Sequence, residues 1–241
     1  LTYLKRLFHP GGDNIADQIS ERNLALLIAS HELISVSDLL YESYGSRLKL
    51  VEVVRHPVHL FNNVRDYTAK FERTREFTLS FEVSGVKVPW FAADWADEFV
   101  SSSITDRALL SIARMQSEMI SSIDSINAAQ KPLLVLSFEN TVLRPEDSIE
   151  KLENFLNRPR TRRTNRVLRQ QNLPRKQISA GKATSSFSFT SNSASSEHET
   201  YKKVFKEIED GGSLSAVNEF RSAVNSYNLR WPSQLNEFEK Y

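Results

Sequence analysis

Apolar positions along this chain fall into unbroken runs and spaced stripes. Three runs, Asn23 to Ala29 (NLALLIA), Leu48 to Val54 (LKLVEVV) and Leu133 to Phe138 (LLVLSF), have the length of buried strands. Helical spacing appears in Ser35 to Tyr44 with Gly45 as a stop, and in Val58 to Phe71 behind Pro57. It returns in Thr105 to Ala129, where Leu109, Ile112, Ile120, Ile123 and Ile126 share a face, and in the segment opened by Pro145-Glu146-Asp147. Residues 197–227 repeat that spacing, with Gly211-Gly212 dividing two helices. Between Arg75 and Phe91 the period changes. Thr78, Leu79, Phe81 and Val83 precede Ser84-Gly85, and Val86, Val88 and Trp90 follow, the pattern of a β-hairpin or binding loop.

Strand runs alternating with helical stripes predict an α/β fold: a three-layer, mostly parallel sheet flanked by helices. Runs apolar on both faces suit a sheet covered on both sides. The expectation is one domain over 1–241, with a core at about 23–187, an aromatic hairpin insertion at about 75–95 and C-terminal helices at about 197–229. No internal repeat divides it.

Composition narrows the chemistry. Lys plus Arg number 31 and Asp plus Glu 30, a formal net charge of +1, which disfavours a globally basic nucleic-acid binder. Absence of Cys excludes disulfides, thiolate metal sites and a Cys nucleophile, and favours a reducing compartment. No apolar run approaches the roughly 18 residues of a membrane span. No signal-peptide pattern and no Asn-x-Ser/Thr site is present, so the cytoplasm is favoured. The first residue is Leu rather than Met, which reads as a fragment of a longer chain. Five His without Cys show no metal-ligand spacing, so no metal is expected.

The most informative stretch is LVEVVRHPVHLFNNVRDY, Leu50 to Tyr67. Arg55 closes a strand at the crevice where open α/β sheets bind ligands, and the following helix directs its N–H groups there. Asn63 follows two helical turns later, so the pair could grip a phosphate, with Arg55 bidentate. The competing reading has Arg55 paired to a loop carboxylate and Asn63 simply exposed.

These residues resemble the sulfotransferases, which transfer a sulfuryl group from 3′-phosphoadenosine 5′-phosphosulfate (PAPS). The family's 3′-phosphate segment is an apolar strand, Arg-x-Pro or a similar triplet, a Ser eight residues after the Arg, and then an aromatic. Arg55, Pro57 and Tyr67 match, and Asn63 stands at the Ser position. LLIASHELI places His31 where many members carry the catalytic base, with Glu32 as the second choice. Leu133 to Pro159 is similar to the family's strand, acidic turn and Phe-Leu-ended helix. Pro174-Arg175-Lys176 with Gly181-Lys182 looks like its late Arg-Lys-Gly segment. The resemblance implies a P-loop-like fold, PAPS as donor, and Arg55, Asn63, Arg175 and Lys176 on its 3′-phosphate. The family's phosphosulfate-binding loop, with Lys or Arg, Gly and Ser/Thr, has no match upstream of His31. His9 to Asn14 contains Gly-Gly without the other residues.

The acceptor is expected to be a small molecule or a carbohydrate, received by the aromatic residues Trp90, Phe91 and Trp95; the alternative is that these fill the core. Eight of the nineteen residues from Arg158 to Lys176 are Lys or Arg and none is acidic. That stretch is either a solvated helix face or a surface for an anionic ligand, and it lacks aromatics to stack bases. Two other function classes stay open: a non-catalytic binding domain of the same fold, and a kinase-like transferase in which Glu139 would help hold Mg²⁺. The sequence indicates no oligomeric state.

Overall fold

The computed structural model describes residues 15–21, 25, 27–30, 33–71, 79–178 and 197–232. The chain divides into two compact units, Leu1–Leu33 and Ile34–Tyr241. In the first, helix α1 spans Ile15–Glu21. The strand expected over Asn23 to Ala29 is not formed at the described positions. Ala25 and residues 27–30 lie in neither helix nor strand, and Leu27 is 86% exposed. An apolar run becomes a strand only when a neighbour takes up its backbone hydrogen bonds. His31, Glu32, the Gly11-Gly12 turn and the Gly181-Lys182 pair lie outside the described residues.

In the second unit the order is α2 (Ser37–Tyr44), β1 (Leu50–Val54), α3 (Pro57–Lys70), β2 (Ser80–Val83), β3 (Val86–Pro89), α4 (Ala96–Ser101), α5 (Ile104–Ala128), β4 (Leu133–Ser137), α6 (Phe138–Leu143), α7 (Pro145–Leu156), α8 (Arg162–Gln170), α9 (Glu197–Gly211) and α10 (Leu214–Arg230). Strands β1 and β4 pair in parallel, from Leu50 opposite Leu133 to Val54 opposite Ser137. Among the described residues this sheet has two strands, and a separate antiparallel pair joins β2 to β3. The molecule is therefore a helix-rich α/β protein; of the three strand runs expected in a three-layer, mostly parallel sheet, two form a parallel pair at the described positions.

Local signals explain most boundaries. Ser103 and Ser213 cap α5 and α10 by accepting from the N–H groups of Asp106 (3.1 Å) and Ala216 (3.4 Å). Pro57 and Pro145 open α3 and α7 at the position where a missing N–H is harmless. The hairpin turns on Ser84 and Gly85, both at positive φ (52° and 79°), the combination that matches strand twist.

Packing centres on α5. Its Ala108, Leu109 and Ile112 meet Val58 and Phe61 of α3, Ile208 of α9 and Phe220 of α10. Full burial of each large side chain in this group stabilises by about 1.5–3 kcal/mol. Farther along, Ile123 and Ile126 join Tyr227 against Leu50 and Val54, covering one face of the parallel pair. Gly212 lets the α9–α10 turn approach α5, since a Cβ there would lie 2.8 Å from Leu109 Cδ1. No described helix is long and apolar enough to cross a membrane.

Candidate anion site at the parallel strand ends

Because Val54 lies opposite Ser137, the residues leaving both strands emerge side by side. Arg55 and His56 leave β1 into α3, while Phe138 and Glu139 leave β4 into α6. Two helix N-termini thus begin at one sheet edge, the place where open α/β sheets accept ligands.

The Arg55 guanidinium lies over the Phe138 ring, 4.7 Å from its centroid. Arg175 reaches the same ring from the segment after α8, at 5.8 Å. Its backbone N–H donates to Val142 O (2.8 Å) and its Nη1 to Ile178 O (3.2 Å), fixing the chain against α6. The Nε of each arginine is buried with no hydrogen-bond partner. Ion pairs among the described residues engage Arg65, Arg114, Arg144, Arg160, Arg221 and Arg230, and neither of these two. Burial holds the Arg55 pKa below its ordinary value, Glu139 opposes that, and Arg175 adds to it. Burial lowers Arg175 as well. Both remain cations at neutral pH.

Glu139 is the nearest negative charge, and its oxygens are already engaged. Oε1 accepts from the His56 N–H at 2.9 Å, and Oε2 accepts from the hydroxyls of Ser137 (3.0 Å) and Tyr227 (2.7 Å). Glu139, His56 and Tyr227 are all fully buried. Burial, and then the adjacent Glu139 carboxylate, push the Tyr227 hydroxyl well above the usual tyrosine range, so it stays a donor. His56 Nδ1 accepts from the Val58 N–H at 3.3 Å and starts α3. One turn into α3, His59 is pushed down to about 3 by burial, with His56 and Arg55 contributing, and is neutral at physiological pH. Arg55 therefore faces a carboxylate that already accepts from three protein donors, and Arg175 adds a second cation beside it. The imbalance favours an oxyanion, and the two unsatisfied Nε–H groups are donors of the kind that bind one.

Of the residues singled out in the sequence, Arg55 and Arg175 are brought together from 120 positions apart. Asn63 is half-buried on α3, one turn beyond His59 on the same face, and makes no hydrogen bond to either guanidinium. Lys176 is exposed beside Arg175.

The aromatic residues divide differently. Trp90 is partly exposed, whereas Phe91 and Trp95 line an open groove of about 620 Å³ with Arg114, Gln116 and Glu118. The Trp95 ring is covered by the Arg114 guanidinium at 4.5 Å and meets the edge of Phe99 at 5.4 Å. Arg114 is itself held by Glu98 and Glu219, each at 2.8 Å. No lining residue of this groove belongs to the arginine pair.

Sequence reasoning missed the clamp formed by Ser137, Glu139 and Tyr227. Its one sequence signal was a carboxylate directly after an apolar strand; the partner Tyr227, 88 residues away, had none. No group of three His, Asp or Glu able to hold a metal ion occurs among the described residues. No family model, curated protein or solved structure matches this chain.

Proposed function

We propose that this protein is a sulfotransferase that moves a sulfuryl group from PAPS to a hydroxyl or amino group. The observation that carries the reading is the half-buried Arg55–Arg175 pair over Phe138, with a buried, unsatisfied Nε on each arginine, beside the C-terminal ends of two parallel strands. A phosphate monoester supplies the acceptor atoms such a pair lacks. Arg55 and Arg175 would hold the donor's 3′-phosphate, and Asn63 and Lys176 are the further residues the resemblance assigns to it. His31 is the assigned base, with Glu32 as the second choice. Trp90, Phe91 and Trp95 are the acceptor-side residues, for a small molecule or a carbohydrate.

The reaction is an in-line displacement. The acceptor oxygen attacks sulfur, and the bond from sulfur to the 5′-phosphate oxygen breaks. Adenosine 3′,5′-bisphosphate departs with that electron pair, and the base takes the acceptor proton. The protein contributes positioning and charge neutralisation.

A second reading, a non-catalytic binding domain for the same nucleotide, draws support from the missing third strand at residues 25 and 27–30. A kinase-like reading draws less, because both Glu139 oxygens already accept hydrogen bonds from protein donors. Calorimetry separates them. Adenosine 3′,5′-bisphosphate should bind in preference to ATP with Mg²⁺, and Arg55→Ala should weaken it by about 2 kcal/mol, roughly 30-fold. Unchanged affinity in Arg55→Ala removes the site, while normal binding without turnover selects the non-catalytic domain.

A further inference from the structure

Helix α8 breaks the usual electrostatic pattern. Asp and Glu are favoured in a helix's first turn, as α7 illustrates with Glu146 and Asp147. Helix α8 instead opens with Arg162 and Arg163 and continues with Arg166 and Arg169, with no acidic residue in it. Arg162 and Arg166 are one turn apart, about 6 Å along the axis, and like charges at that spacing repel. The helix is nevertheless nucleated locally, by the Thr161 N–H donating to Thr164 Oγ1 at 3.2 Å. Two acids of α7, Glu146 and Glu153, are already engaged with Arg160 at 2.6 and 3.6 Å. Arg162, Arg163 and Arg166 are exposed, make no ion pair among the described residues, and line an open hollow of about 680 Å³ with Val167 and Gln170.

We infer that this face of α8 binds an anionic polysaccharide, one bearing sulfate or uronate groups, through the guanidiniums of Arg162, Arg163 and Arg166. Each guanidinium is a planar fork matched to the two oxygens of a sulfate or carboxylate. The face presents no Phe, Tyr, Trp or His on which nucleic-acid bases could stack, and Val167 is its one exposed large apolar side chain, too little to anchor a lipid surface. A polysaccharide also carries the hydroxyl groups that sulfuryl transfer requires. Four residues separate Gln170, the end of α8, from Arg175, so their Cα atoms are at most about 18 Å apart, a few sugar units. The polymer's role as acceptor rests on the transferase reading; its binding to α8 does not.

The test is fluorescence anisotropy on the full chain with a labelled heparin octasaccharide, across a series of salt concentrations. Binding should weaken as salt rises. The exposed triple variant Arg162→Gln/Arg163→Gln/Arg166→Gln should lose at least tenfold in affinity and lower the log–log salt slope by two to three, roughly one per removed phosphate-like contact. Calorimetric affinity for adenosine 3′,5′-bisphosphate should stay unchanged in the same variant, which also verifies its fold. Undiminished octasaccharide binding in the triple variant overturns the inference. So does equal or tighter binding of a single-stranded oligonucleotide or an acidic peptide of the same charge, or of anionic vesicles. Loss of nucleotide binding in Arg55→Ala with octasaccharide binding intact would show the two sites failing independently.

Discussion

Two groups of arginines occupy opposite environments. Arg55 and Arg175 are drawn into the end of the parallel sheet, with their Nε atoms out of water and without a protein acceptor. Arg162, Arg163 and Arg166 stand in solvent on α8. An Nε–H out of water and without a protein acceptor lacks one hydrogen bond, so the first pair suits a single anion held at one place. An exposed guanidinium costs the fold little and is screened by salt, so the second group suits many weak contacts with a repeating polyanion. A third kind, Arg114 between Glu98 and Glu219, is neutralised internally and has little left to offer a ligand. Residue type is the same throughout; burial and the prior claims on nearby carboxylates separate the roles.

The sharpest way to break this comparison is at Glu139. Glu139→Ala strands the buried donors of His56, Ser137 and Tyr227 and removes the carboxylate that faces the half-buried Arg55, so urea denaturation should show a loss of about 3–5 kcal/mol. If Arg55 were only the counter-ion of Glu139, Arg55→Ala would destabilise the fold by a similar amount. The ligand-site reading expects Arg55→Ala to leave stability within about 1 kcal/mol while nucleotide affinity falls by about 2 kcal/mol. A double-mutant cycle between the two positions measures their coupling directly.

A smaller effect concerns pH. Burial, with His56 and Arg55 adding to it, holds His59 near 3 in the folded protein, well below the ordinary histidine value of 6.5. The unfolded chain therefore binds the extra proton first as pH falls, and stability drops through the window from about 6.5 towards 3. The slope reaches about 1.4 kcal/mol per pH unit for this one group. Replacing His59 by Gln should flatten that part of the stability profile; an unchanged slope would place the acid sensitivity elsewhere.

The smallest expected effect is on α8. Arg163→Glu replaces an unfavourable first-turn charge with a favourable one, and should raise stability by about 0.3–1 kcal/mol in thermal denaturation. The same change should weaken octasaccharide binding. Stability and binding moving in opposite directions is the signature of a charge kept for a partner; both falling together would assign Arg163 to the fold.

Much of this architecture was legible one element at a time. Pro57 behind an apolar strand, Ser84-Gly85 between alternating residues, and Gly211-Gly212 between two stripes each act within a few residues, and each boundary falls where such local chemistry puts it. Helix α6 was hidden because Phe138 continues the apolar run LLVLSF, and nothing local marks where extended backbone turns helical. The run at Asn23 to Ala29 misled for the complementary reason, since its apolar character says nothing of a hydrogen-bonded neighbour. At the site, Arg55 was legible because a strand end followed by Pro is a local feature. Trp95 was not legible as a covered ring, because the Arg114 that covers it lies a helix away.

Composition and short-range pattern were sufficient to determine the longer helices, the two parallel strands, the hairpin and the excess of cationic charge between Arg158 and Lys176. They act through backbone sterics, capping and periodicity, which operate within a turn or two of chain. Only the folded chain decided that Arg175 would meet Arg55 over Phe138, that Ser137 and Tyr227 would occupy the Glu139 carboxylate, and that α8 would keep its arginines in water. Desolvation and hydrogen-bond satisfaction depend on what surrounds a group in space, and those surroundings come from segments as far as 120 residues apart in the chain.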